Sequence, residues 1–488
     1  MKLIDLLKNI NFTVLSGQLD QEIKGIYYDS RRVTPGSLFI CISGFKTDGH
    51  LYVSQAVENG AIAVLVEKEI SVDKNITCIL TANNREIMPQ LAANYYQEPT
   101  ENMRVIGVTG TNGKTTITHL IKSILDEAGK TTGIIGTLYA RINEEKKEYS
   151  HTTPEAFEIE EFMNLCREKN SEYIVMEASS HALDLHRVDK IHFNIAILSN
   201  ISQDHLDYHQ NIDNYKQSKI KLFRMIPPGK TNFCIVNADD ACAQEFINAC
   251  ETPCYTYGLD QNADIQAENL NYSLKGTNFN VKYKNKSLNL NLKLIGLFSV
   301  YNALAAVAFA LKEGISPKII KSALEKVKGV PGRFEQVDCG QDFTVIVDYA
   351  HTPDGLENIL KTGKQIVENR LITVFGCGGD RDKTKRPQMG EIAARYSDFC
   401  IITTDNPRSE EPENIIHDIV PGLDRVQNSR YAIVVDRREA IRQAFHLANK
   451  GDIVMIAGKG HETYQLVKDQ VLDFDDRLVA REILKGLK

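Results

Sequence analysis

Residues 104–117, RVIGVTGTNGKTTI, run from a short β-branched apolar stretch straight into a glycine-rich turn that ends Gly113, Lys114, Thr115, Thr116, after which helix-like sequence resumes. A strand, a glycine turn and a helix in that order form a phosphate cradle. Glycines let backbone amides approach the phosphates, Lys114 is placed to reach the terminal oxygens, a Thr hydroxyl can hold magnesium, and the helix N-terminus favours anions. The competing reading is an ordinary strand-to-helix turn. It is disfavoured because Lys and Thr follow Gly113 in the order the chemistry needs. The spacing is a variant one: counting back from Gly113, the first glycine of the strict loop falls on Val108, whereas the glycines present are Gly107 and Gly110.

Working outward, KTTGIIGT, YIVMEAS, NIAILSN and FCIVNAD have the length and composition of buried parallel strands, and helix-like sequence separates them. Such alternation predicts a doubly wound sheet with ligands at the carboxyl ends of its strands. Upstream, residues 1–102 hold short apolar runs (SLFICI, AIAVLVE, ITCIL) and one helix-like stretch, HLYVSQAVENG, and end in the polar linker QEPTENM. Around 265–295 the chain alternates and becomes Asn/Lys-rich, as exposed antiparallel strands do; the alanine-rich YNALAAVAFALKEG follows. GVPGRFE reads as a boundary, and beyond it FTVIVDYAH, LITVFGCGG, FCIITTDNPR and DIVMIAGKGHE open a second strand–helix series. The expectation is an α/β chain of three domains: a small α/β unit over 1–102, a central doubly wound P-loop domain over 103–331, and a Rossmann-like domain over 332–488.

At 488 residues the chain exceeds what one core normally supports. The net charge of −7 and the lack of a Lys/Arg-rich tract argue against nucleic acid. Charges at Lys2, Asp5 and Lys8 break the N-terminal apolar run, and no stretch has the length of a membrane span. Ten cysteines without a CxxC pair read as free thiols of a reducing compartment. These features predict a cytoplasmic protein whose partners are small molecules rather than nucleic acid or membrane; a monomer is expected, though no feature of the sequence fixes the oligomeric state.

Three further stretches carry chemistry. Glu177 ends a strand where a nucleotide-binding domain keeps a carboxylate for its metal; alternatively it caps a helix. SNISQDHLDYH sets His205 and His209 four apart, a spacing open either to a zinc pair or to plain hydrogen bonding. Lys219, on a probable helix between Tyr215 and Phe223, is by itself a surface lysine; on an apolar face it would be partly neutral and able to add CO₂ as a carbamate.

Taken together, GVTGTNGKTT, MEASSHAL, SQDHLDYH with Lys219, YNALAA, GRFE, VDYAHTPDGL, GCGGDRDKTKRP, TTDNPRSEEP and AGKGHETYQ resemble the UDP-N-acetylmuramoyl-tripeptide synthetases of the Mur ligase family, in order and over nearly the whole chain. The variant loop is likewise typical of Mur ligases and folylpolyglutamate synthetases. The resemblance implies ATP and Mg²⁺ as cofactors. It assigns Gly110, Thr111, Asn112, Gly113, Lys114, Thr115 and Thr116 to ATP phosphates, and Asn302, Arg333 and Asp348 to the nucleotide. Thr115, Glu177, His205 and Lys219, the last as a carbamate, fall to the metal, with Lys114, Lys219, Glu177 and His205 catalytic.

For a UDP-N-acetylmuramoyl dipeptide the same match points to Ser30, Thr152, Thr153, Ser179 and Arg187, and Leu185 stands where some relatives carry Gln. HTTPE also reads as a helix N-cap, which Thr153 could supply. Asp405, Asn406, Pro407 and Arg408, with Arg381, Gly458 and Glu462, are implied to read meso-diaminopimelate: Arg408 its far carboxylate, Glu462 its ammonium. Alternatively DNPR is a turn whose Arg408 pairs with an acid. The implied reaction is ATP-driven amide formation through an acyl phosphate. A folylpolyglutamate synthetase is disfavoured by DSRRV and DNPR, a nucleotide-driven switch or motor by the missing basic face and NKxD, and an inactive homologue by the polar residues in place.

Overall fold

The computed structural model describes residues 1–44, 47–260 and 262–486. Its three principal sheets occupy successive parts of the chain. The first has five strands in the order Thr13–Ser16, Thr77–Leu80, Ala61–Val66, Ser37–Ile40, Gly25–Tyr27, and only the Thr13–Ser16 edge is antiparallel. SLFICI and AIAVLVE lie in its buried middle. Sequence reading expected one helical stretch here, and Val53–Glu58 occupies it. A longer helix, Asn84–Tyr96, was missed. Pro89 inside it hides it from pattern reading, although Asn83 caps it by accepting from the Arg85 and Glu86 amides.

The second sheet has eleven strands. Its parallel heart, in spatial order, is Cys254–Gly258, Phe233–Asn237, Phe193–Leu198, Arg104–Thr109, Tyr173–Glu177, Thr132–Ile135. Arg104–Thr109 is the turning point, since the chain winds to one side through Thr132–Ile135 and Tyr173–Glu177 and then crosses to Phe193–Leu198. Ligands gather at such a reversal. Buried on both faces, these strands read as continuous apolar runs. Helices Lys114–Glu127 and Leu297–Lys312 cover one face with a core that includes Ile117, Ile121, Leu304 and Phe309. The other face packs Phe162, Met163, Leu222 and Phe223 from Ala156–Glu168 and Ile212–Arg224.

The antiparallel strands expected near 265–295 are Ile265–Ser273, Gly276–Tyr283 and Lys286–Leu292. They extend the same sheet, and only one face is exposed: Phe279, Val281, Leu290 and Leu292 join the core beneath Leu297–Lys312.

The third sheet orders Glu335–Gln336, Thr344–Asp348, Ile453–Ala457, Leu371–Phe375, Phe399–Ile402, Tyr431–Ile433, all parallel but the first. Pro353–Ile366, Lys385–Tyr396 and Pro412–Asp424 cover one face; Arg437–Leu447 and Asp476–Gly486 cover the other. All ten cysteines are free thiols, as expected. Among the described residues no helix is long and apolar enough to cross a membrane.

Candidate active site

The turn after Arg104–Thr109 lies flat against its neighbours because Gly110 and Gly113 take φ of +139° and +87°. A Cβ on Gly110 would collide with Ser199 Oγ, and one on Gly113 with Asn302 Oδ1, so both positions demand glycine. Gly113 is the N-cap of Lys114–Glu127 and brings no side chain to that end. The first amides of the helix therefore remain available to an anion. Lys114 Nζ donates to the carbonyls of Gly110 (2.9 Å) and Thr111 (2.8 Å), which occupies two of its three hydrogens. Burial holds its pKa below that of an ordinary lysine.

Glu177 is 1% exposed and accepts from Thr115 Oγ1 (3.1 Å), Thr137 N (2.8 Å) and Thr137 Oγ1 (3.0 Å). The capping alternative fails: the helix that follows, Ser180–Asp184, is capped by Ser179, whose hydroxyl accepts from Ala182 N. A buried carboxylate with no ion-pair partner among the described residues, set among the hydroxyls of Thr115, Thr137 and Thr152, is a donor set of hard oxygens. It suits magnesium, which takes few protein ligands and leaves room for phosphate and water.

Lys219 is no surface lysine. It is 1% exposed, its Nζ donates to Gly110 O at 2.8 Å and lies 4.4 Å from the Tyr215 ring centre. Burial, reinforced by the Lys114 charge, holds its pKa well below the usual range. His205 N-caps a short helix in left-handed backbone, φ +53°, with Nε2 3.3 Å from Asp204 Oδ2 and its ring 4.7 Å from that of His181. Burial pushes its pKa down to about 3 despite the Asp204 charge, so the imidazole is neutral. The zinc reading of His205 and His209 finds no support: among the described residues no group of three or more His, Cys, Asp or Glu side chains is arranged to hold a metal.

A cleft of about 520 Å³ opens from the turn toward the third sheet. Asn112, Gly113, Thr116, Asn302, Arg333 and Asp348, scattered over the sequence, all line it. Arg333 spans the two sheets' territories, donating to Thr115 Oγ1 at 3.1 Å while its guanidinium lies 4.7 Å from the Tyr349 ring centre. Asp348 is fixed by the amides of Phe334 (2.6 Å) and Ala350 (2.7 Å), and burial raises its pKa. Sequence reading missed Asp354, which accepts from Asn112 Nδ2 (2.8 Å) and Ser202 Oγ (3.2 Å) and so fastens the turn to the third sheet's helix. Its motif, DYAHTPDGL, was noticed, but nothing in one sequence shows that a helix-opening aspartate bonds residues more than 150 positions away.

Of the residues assigned to the dipeptide, four lie together. Thr153 Oγ1 donates to Glu177 O (2.7 Å) and accepts from Ser179 N (3.0 Å), while Arg187 donates to Thr153 O (2.9 Å) and pairs with Glu155 (2.8 Å). Thr152 accepts from Thr137 Oγ1 at 3.1 Å. The expected N-cap at Thr153 is corrected: Glu155 is the cap of Ala156–Glu168, with its amide donating to Glu158 Oε2, and Thr153 instead ties the loop to the end of the Glu177 strand. Leu185 is the C-cap of the short helix before Arg187. Ser30 sits apart in the first sheet's territory, buried and bonded to Gln55 Oε1 at 2.7 Å.

The third sheet gathers the remaining set at the ends of Phe399–Ile402 and Ile453–Ala457. Arg408 takes left-handed backbone, φ +53°, clamped by bonds to Leu466 and Lys468. Its Nη1 donates to Gly379 O at 2.8 Å. The turn alternative, in which Arg408 pairs with an acid, fails, since among the described residues no carboxylate lies at ion-pair distance from it. Burial and the neighbouring Arg381 charge lower its pKa, although Asp405, Glu462 and Asp380 all favour its charged form. Among the described residues Arg381 donates only to Asp380 O, at 2.9 Å. Pro407 supplies the carbonyl against which Gly379 packs, and a Cβ on Gly458 would stand 2.5 Å from Asp405 Oδ2. Glu462 faces this group from the other side, bonded to Asn406 Nδ2 at 2.9 Å, with its pKa raised by burial.

Family models cover most of the chain: "Mur ligase family, catalytic domain" matches residues 22–104, "Mur ligase middle domain" 108–310, and "Mur ligase, glutamate ligase domain" 332–460. A curated protein of Syntrophomonas wolfei, named UDP-N-acetylmuramoyl-L-alanyl-D-glutamate--2,6-diaminopimelate ligase, is 61% identical over 100% of this chain and 99% of its own. A solved structure bearing the same name is 34% identical, with a TM-score of 0.68 over 100% of this chain and 99% of that one. The MurF ligase of Thermotoga maritima, solved with ADP, shares the fold at a TM-score of 0.64 and 17% identity, covering 95% of this chain and 96% of its own.

Proposed function

The chain belongs to the Mur ligase family, and from that premise we propose the reaction its site performs. It is an ATP-dependent ligase that joins meso-2,6-diaminopimelate to the D-glutamate carboxylate of UDP-N-acetylmuramoyl-L-alanyl-D-glutamate, in peptidoglycan precursor synthesis. The observation that carries this reading is the convergence of the Gly110–Thr116 turn, Asn302, Arg333 and Asp348 on one cleft between the second and third sheets. The ADP held by a fold neighbour agrees with it.

A carboxylate resists attack by an amine. The γ-phosphoryl group is therefore moved to a D-glutamate oxygen, ADP leaves, and the acyl phosphate is taken by the diaminopimelate amine, which loses a proton as phosphate departs. Phosphoryl transfer asks the protein chiefly for position and charge. Lys114 and the free amides of its helix hold the phosphates, and Arg333 links the nucleotide to the third domain. Ser30, Thr152, Thr153, Ser179 and Arg187 orient the uridine-linked dipeptide. Thr115, Glu177, His205 and a carbamate on Lys219 would hold magnesium, which when bound would supply positive charge to the phosphates. Burial favours the neutral Lys219 amine, which is the form that adds CO₂. Domains divided near residues 103 and 332 close on the bound substrates and exclude water from the acyl phosphate. The enzyme acts as a monomer in the cytoplasm.

Arg408 reads the second carboxylate through the planar fork of its guanidinium, helped by Arg381. A product assay offering meso-diaminopimelate and L-lysine side by side tests this. The wild type should take the former, and Arg408→Asn should lose that preference by about 10- to 100-fold. An unchanged preference in the variant would contradict the assignment.

A further inference from the structure

The strand Ile453–Ala457 ends in Gly458, Lys459 and Gly460, and the glycines hold φ of +118° and +54°. A Cβ on Gly460 would stand 2.6 Å from that of Tyr349, so the backbone carrying Lys459 is pinned on both sides. The Lys459 side chain is 0% exposed. Its Nζ donates to Asn406 Oδ1 at 3.1 Å and to Glu462 Oε2 at 3.0 Å, and Asn406 Nδ2 closes the triangle on the same Glu462 oxygen at 2.9 Å. The Leu466 amide also donates to Asn406 Oδ1, at 3.0 Å. Both acceptor positions of that oxygen are thus used, which forces the amide nitrogen toward Glu462.

We infer that Lys459 is a positioning residue for the diamino-acid end of the site: its buried ammonium locks Asn406 and one Glu462 oxygen, leaving Oε1 of Glu462 to receive the substrate's ammonium group. The inference rests on the substrate reading above and adds a residue that reading leaves without a role. Among the described residues Glu462 Oε1 has no hydrogen-bond partner, whereas Oε2 has two. A carboxylate buried here needs a resident cation, because burial and Asp405 both favour its neutral form and Lys459 opposes them. The other charged and titratable groups facing it are Arg408, Arg437, Tyr349 and Tyr464. Arg437 is already spent on a buried pair with Asp476, and the Arg408 guanidinium donates to Gly379 O.

The test is steady-state kinetics of Lys459→Met and Lys459→Gln from pH 6.5 to 8.5, with thermal melts to establish that each is folded. KM for meso-diaminopimelate should rise about 10- to 100-fold in Lys459→Met while KM for ATP moves less than about twofold. It should rise further as pH falls, more steeply than in wild type, because Glu462 now takes up a proton more readily. Lys459→Gln keeps a hydrogen-bond donor without the charge, so its KM should lie nearer wild type at pH 8.5 than at 6.5. If Lys459→Met does not fold, the Lys459→Gln profile decides alone. Equal changes in all three KM values, or a pH profile parallel to wild type, would overturn the inference. A wild type indifferent to diaminopimelate would instead defeat the functional reading, so the two failures are distinguishable.

Discussion

Lys114 and Lys219 both donate to the Gly110 carbonyl, and neither pairs with a carboxylate at bonding distance among the described residues. Two amines beside one glycine carbonyl are tolerable because burial weakens the ammonium form of each. A triphosphate would favour the charged form of Lys114 where it is used. Lys114→Ala should therefore lower kcat by about 10²- to 10³-fold while the affinity for the uridine nucleotide stays within about twofold of wild type, measured by calorimetry. A variant that kept wild-type turnover would remove Lys114 from the chemistry. The order Gly–Lys–Thr was enough to find this residue in the sequence. It was not enough for Lys219 or Lys459, whose roles depend on burial, and burial of a lysine on an amphipathic helix or after a strand cannot be read from spacing.

Among elements, the helix Ala156–Glu168 is the most exposed to surprise, because it packs against the unforeseen helix Asn84–Tyr96. Glu160 on it is 3% exposed, and its Oε2 has no hydrogen-bond partner among the described residues. Burial, with a smaller push from Glu98 that outweighs Arg167, raises its pKa from 4.5 to about 8. The folded state therefore holds a proton that the unfolded chain releases near 4.5. The stability this gives is complete below that pH and is lost as pH rises through about 8. Across that window wild type should lose up to about 1.4 kcal/mol per pH unit relative to Glu160→Gln, which cannot ionise. Urea denaturation at pH 5 and pH 9 checks it, and a constant difference between the two proteins would refute it. The parallel strands were legible because continuous β-branched runs have few other homes. Helix Asn84–Tyr96 was not, because Pro89 and a weak apolar stripe mask its period.

At the scale of the molecule, the cleft exists only where sheets two and three meet. Asn112 and Ser202 with Asp354, and Arg333 with Thr115, are among the bonds that cross between them. Motif order along the chain conveyed that three α/β units act on one reaction, but which loop faces which followed from the packing of sheets distant in sequence. Each sheet alone has strand-end loops; together they set the phosphate turn against Arg333, Asp348 and Asp354.

Phosphate release is the most direct measure of this arrangement. With ATP, magnesium, UDP-N-acetylmuramoyl-L-alanyl-D-glutamate and meso-diaminopimelate all present, release should be rapid and matched one to one by the tripeptide product, and omission of either the dipeptide or the diamino acid should abolish product and reduce release to background. Release that continued unchanged without the dipeptide would mean that the cleft hydrolyses nucleotide for some other purpose.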